Sequence, residues 1–163
     1  MSTSDIALLS HSFVVLSTLL EVNPTSTYPL VENNLLKDIF KLSLTPLLSG
    51  ASLDSLLTFY SNLVTADQEI GTKIVPKLLL EVQQGAKNTT SPGNVAKCIA
   101  RVVQANPTFA AGVITQFSKL MQVSWIYWPS AIVPNIKCIQ SGKTNDLSLV
   151  LSLMTLGELG RFM

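Results

Sequence analysis

The chain has 163 residues, 47% of them hydrophobic and only 13% charged, with 11 Lys and Arg against 10 Asp and Glu. That length makes one domain able to bury roughly 70% of its extended-chain surface, and so small a charged share argues against disorder and for broad covered faces. The balance of charge offers no basic excess to attract nucleic acid or an acidic membrane surface, so neither is expected as a partner.

The predicted elements are all helices. Across residues 4–22, Ile6, Leu9, Phe13, Leu16 and Leu20 recur at helical spacing, and Val14, Val15 and Leu19 widen that apolar face. Asp5 precedes the run with no basic residue before it, which argues against a secretory signal. No apolar run approaches the ~18 residues that span a bilayer. Pro24 closes this helix and Thr25-Ser26-Thr27 reads as a turn. A second helix is expected near residues 31–44, with Leu35, Leu36, Ile39, Phe40 and Leu42 inward and Glu32, Lys37, Asp38 and Lys41 outward. Gly50 opens a third, in which Leu53, Leu56, Leu57, Tyr60, Leu63 and Val64 form one stripe and Asp54, Thr58, Ser61 and Thr65 the other. The fourth starts near Thr72, tolerates Pro76 in its first turns, and buries Ile74, Val75, Leu78, Leu79 and Val82 until Gln83-Gln84-Gly85 ends it.

The best-bounded helix is 91–107. Ser91 supplies a cap, Pro92 suits the first helical position and Pro107 stops the run. Asn94, Lys97, Arg101 and Gln104 make a narrow wet stripe, while Val95, Cys98, Ile99, Val102 and Val103 fill the rest, so several neighbours must cover it. Its ending in Asn106-Pro107 echoes Leu19-Leu20-Glu21-Val22-Asn23-Pro24 at an offset of 83 residues (107 − 24). Two units of about 41 residues produce that offset, within the range of HEAT-type helix pairs.

Thr108 starts a sixth helix that buries Phe109, Val113, Ile114, Phe117 and Leu120. Residues 123–140, VSWIYWPSAIVPNIKCIQ, then break the pattern, holding both tryptophans and two prolines with no helical period. From Asn145 a last helix resumes, with Ser148, Ser152 and Thr155 as its only wet line and Leu149, Val150, Leu153, Met154 and Leu156 facing protein. Such a helix should be nearly enclosed, yet no polar capping unit follows it, so the chain reads as a fragment of a longer array. The expected fold is all-α, a HEAT/armadillo-like superhelix of about seven helices. Residues 1–122 form helix pairs, 123–140 an atypical insertion, and 141–163 the first helix of a further, truncated unit.

Chemistry-bearing residues are sparse. His11 has no carboxylate placed to orient it and no nucleophile elbow is present, so it reads as a helix-surface residue. Gly142-Lys143-Thr144 imitates the end of a phosphate loop, but Lys137 stands where the earlier glycine belongs. Lys97 with Arg101, and Lys73 with Lys77, are like-charged pairs four residues apart that face solvent or an acidic partner. Gly157 and Gly160 let helices approach closely or end. Cys98 and Cys138 have neither CxxC nor zinc spacing, and Cys98 on an apolar face reads as a buried reduced thiol, which fits an intracellular compartment. The sequon Asn88-Thr89-Thr90 is idle without secretion. No catalytic, cofactor-binding or metal-binding residue is assigned, no small-molecule substrate is expected, and partner-contacting side chains cannot be named from this pattern.

Three segments carry a family resemblance: SGASLDSLLTFYSNLV after Thr45-Pro46-Leu47-Leu48, then NVAKCIARVVQANP, then LSLVLSLMTLGELG. Together and in order, the chain resembles the cullin-associated and neddylation-dissociated protein family, a long HEAT-repeat solenoid, with units beginning near Asp5, Gly50, Pro92 and Asp146. The resemblance implies a non-enzymatic scaffold, cytoplasmic and nuclear, that wraps un-neddylated cullin–RING ligases and helps exchange their substrate-receptor modules. A HEAT-type adaptor or transport receptor with other protein partners is the alternative. Residues 123–140 have no counterpart in that family, which passes directly from Lys119-Leu120-Met121-Gln122 to the equivalent of Ser141-Gly142-Lys143-Thr144. Val123-Ser124 permits a splice-donor-like GTAAGT and Gln140 an acceptor-like CAG, so the segment reads as a retained in-frame intron. The competing reading is a partner-anchoring loop through Trp125, Tyr127 and Trp128.

Overall fold

The computed structural model describes residues 3–84, 91–127 and 145–161. These form α1 (Thr3–Val22), α2 (Pro24–Leu30), a π-helical turn (Val31–Leu35) running into α3 (Leu36–Ser43), α4 (Ala51–Ala66), α5 (Ile70–Gln84), α6 (Pro92–Ala105), a 3-10 turn (Pro107–Phe109) leading into α7 (Ala110–Tyr127), and α8 (Asn145–Gly160). With the stretch from α2 through α3 counted as one rod, the described residues make seven helices and no strand, an all-α protein.

Pro24 begins a helix rather than leading into a loop. Asn23 leaves the helical region, its Oδ1 accepts the Ser26 N–H at 3.3 Å, and Pro24 takes the first helical position. The expected turn at Thr25-Ser26-Thr27 is therefore helical, because the cap satisfies a donor that would otherwise need water. The same junction recurs twice. Asp67 Oδ1 accepts from Glu69 N at 2.9 Å ahead of α5, and Asn106 Oδ1 accepts from Thr108 N at 3.2 Å ahead of the 3-10 turn. The three residues share one backbone geometry, with φ of −141°, −143° and −140° and ψ of 72°, 108° and 95° in chain order. They set offsets of 44 residues (67 − 23) and 39 residues (106 − 67) between units.

The packing follows those units. The first helix of each packs on the first helix of the next: α1 on α4, α4 on α6, α6 on α8. Each second helix also touches the following unit's first helix, α2 on α4, α5 on α6 and α7 on α8. α4 is accordingly covered on two sides, and Phe59, which lies outside the expected stripe, is fully buried with its ring 5.9 Å from that of Phe13 on α1. At the entry to α4, Gly50 has φ 53°, a left-handed conformation that favours glycine, and Ser52 Oγ donates to Ser49 O at 2.9 Å.

Several facings differ from the pattern reading. On α1, Val14, Val15 and Leu19 are exposed, since α4 covers only the side bearing Phe13, Ser17 and Leu20. Residues Asp5–Val22 of α1 are long and apolar enough, by length and composition, to cross a membrane, and only 17% of that stretch is buried. Run length missed this because interspersed Ser and Thr interrupt a run while barely lowering the average. Leu35 is exposed where the π-helical turn shifts the register. On α8 the expected faces are largely exchanged, although Leu156 packs against the core as expected. Ser152 and Thr155 are fully buried beside Leu151 and Leu159, while Val150, Leu153 and Met154 are exposed. Small side chains at Ser152 and Thr155 let α8 pack closely, so these two positions read as wet lie in the packing, while the Ser148 side chain lies outside the described residues. α7 continues past Val123 to Tyr127.

Candidate interaction surface

The best-bounded predicted helix, α6, is the hub of the first-helix row, and its polar residues do three different things. Asn94, read as wet, is buried, and its Nδ2 donates to the carbonyls of Thr45 and Leu48 at 3.0 Å each. These carbonyls belong to the loop between α3 and α4, where no helix satisfies them. Ser91 makes no side-chain cap; instead its backbone N–H donates to Leu44 O at 2.7 Å in the same loop. Lys97 stays exposed, and Arg101, half-buried, donates from Nη1 to Gln104 Oε1 at 3.2 Å.

Where α4, α6 and α8 meet, a groove of about 200 Å³ has Leu53, Leu57 and Ala100 for its apolar lining. Asp54 of α4 and Glu158 of α8 flank Lys97, Arg101 and Gln104 of α6. Glu158 is drawn to Arg161 at 3.6 Å, while Lys97 has no ion pair among the described residues. The like-charged pair Lys97 and Arg101 is thus the basic centre of a mixed-charge seam crossing three units. Such a seam is complementary to a surface of matched charges.

The second pair behaves differently. Lys73 is tied to Glu32 at 3.3 Å, linking α5 to the π-helical turn, and Lys77 is exposed. Tyr28 lies beside this bridge. Its burial, and then the nearby Asp67 and Glu32 carboxylates, raise the phenol above its ordinary value, although no well-placed hydrogen bond completes the hydroxyl.

In the core, Ser43 Oγ and Tyr60 OH are 2.9 Å apart, with Cys98 close by. Burial pushes the Cys98 thiol up to about 12, against a lowering hydrogen bond from Ser43, so it is neutral and unreactive at physiological pH. His11 is exposed on α1. Among the described residues no group of three His, Cys, Asp or Glu side chains is placed to hold a metal ion. A Cβ at Gly157 or Gly160 would meet open space, so neither marks a close approach, while Gly160 ends α8, the other role expected of it. The close glycine is Gly71, where a Cβ would collide with the Phe109 ring. Asn88-Thr89-Thr90, Cys138 and Gly142-Lys143-Thr144 lie outside the described residues, as do the side chains of Trp125, Tyr127 and Trp128. Compared with models of known protein families, the chain matches none.

Proposed function

We propose that the chain is a segment of a non-enzymatic HEAT-type scaffold akin to the cullin-associated and neddylation-dissociated family, one that binds un-neddylated cullin–RING ligases and promotes substrate-receptor exchange in the cytoplasm and nucleus. The observation that carries the reading is positional. The three resembling segments fall on α4, α6 and α8, which are consecutive members of the packed row. Second helices leaning on the following unit are also what a stacked superhelix of helix pairs requires. The mixed-charge groove over α4, α6 and α8 supplies a surface that no single unit owns.

Capture of purified cullin–RING complex by the immobilised chain tests this. Un-neddylated complex should be retained and neddylated complex released, and Lys97→Glu, which reverses one of the groove's two cations, should weaken retention several-fold. Equal retention of both forms, or none of either, contradicts the reading. Capture of a transport cargo in place of cullin would favour the adaptor alternative.

A further inference from the structure

The two ends of the first-helix row carry exposed apolar stripes whose positions are set by the units themselves. On α1 the stripe is Leu8, Val15, Leu19 and Val22. The 44-residue offset places Leu8, Val15 and Leu19 at the positions of Ser52, Phe59 and Leu63 on α4, all buried. That side of α4 rests on α1, through the Phe13–Phe59 ring pair, Ser10 and Ser55 hydroxyls 2.9 Å apart, and Asn62 Nδ2 donating to Glu21 Oε1 at 2.7 Å. The exposed stripe of α1 is therefore the side by which a first helix seats on the unit before it.

The other end holds the complementary half. α8 turns Ser152, Thr155 and Leu159 inward, and Met154 reaches back toward Gly93 of α6, which leaves Val150 and Leu153 on the opposite side, next to Gly157, where a Cβ would meet open space. Leucine and valine knobs on α1 thus face an apolar stripe with a glycine gap on α8. We propose that these two surfaces dock on each other between copies of this chain: α1 of one copy seats on α8 of the next, continuing the packing of α1 on α4, α4 on α6 and α6 on α8. The occupant is a second copy because it presents the matching half of the same interface in the same register, in continuity with the α1–α4, α4–α6 and α6–α8 contacts. The contact is head-to-tail, so association runs on to longer assemblies unless rotation closes a ring. The inference rests on the unit register and not on cullin binding.

Sedimentation velocity on the whole chain, with Val15→Lys and Leu153→Lys variants, decides it. Both positions are more than half exposed, so neither charge enters the core. The unaltered chain should show a weight-average mass that rises with concentration. Each variant alone should sediment as a single 17.6 kDa chain, because one of its two surfaces is spoiled. An equal mixture should stop at a dimer, since Val15→Lys keeps a sound α8 surface and Leu153→Lys a sound α1 surface. A monomer at all concentrations overturns the proposal. So does association abolished by Val15→Lys but untouched by Leu153→Lys, the result for α1 pairing with itself. A chain that stays monomeric and co-sediments through α1 with phosphatidylcholine vesicles overturns it in favour of a membrane surface. Failure of cullin capture leaves all these outcomes readable.

Discussion

Asn94 shows how one amide can hold a loop and a helix row together. Its two amide hydrogens go to the Thr45 and Leu48 carbonyls, 49 and 46 residues away in the chain, in a segment where no helix satisfies them. Removing the amide leaves two carbonyls underbonded, so Asn94→Ala should cost about 2–3 kcal/mol of unfolding free energy. Asn94→Asp should cost more at neutral pH, because a carboxylate aims acceptors at acceptors. Urea titration checks both, and an Asp variant as stable as the Ala variant would remove the clamp. Residue type alone marked Asn94 as wet, since its partners are distant in sequence. The burial of Cys98, by contrast, was legible, because its neighbours on the helix are apolar all round.

At the scale of elements, helix periodicity was legible wherever the side facing a neighbour is made of large apolar residues. α5 buries Ile74, Val75, Leu78, Leu79 and Val82 as expected, and most of the α4 stripe is buried too. It failed where close packing uses small side chains. Ser152 and Thr155 are buried although their polarity reads as a solvent face, and their size is what admits the neighbouring helix. Capping chemistry also outweighed composition: Asn23, Asp67 and Asn106 share one role, but the Asp67-Gln68 copy hides because it lacks the proline. Between elements, Gly71 of α5 leaves room for the Phe109 ring at the start of the third unit's second helix. Gly71→Ala should therefore lower stability by about 1–3 kcal/mol. Phe109→Ala should make the same glycine change nearly neutral in a double-mutant cycle, and additive losses would argue against that contact.

For the molecule as a whole, the all-α class, the number of helices and the approximate starts of α1, α4, α6 and α8 could be read from the chain. Which side of each terminal helix meets protein could not, because that depends on the neighbour and not on the helix. The outward apolar stripes of α1 and α8 and the seam over α4, α6 and α8 follow from one arrangement, a row of first helices packed each on the last. The facing of α8 bears most directly on that row, and thiol labelling of the Cys138→Ser chain at low concentration measures it, with Cys98 buried and silent. If α8 sits on α6 as described, Ser152→Cys and Thr155→Cys should react only on unfolding, while Val150→Cys and Leu153→Cys react at the rate of a free thiol. Fast labelling at 152 and 155 with protection at 150 and 153 would contradict the row.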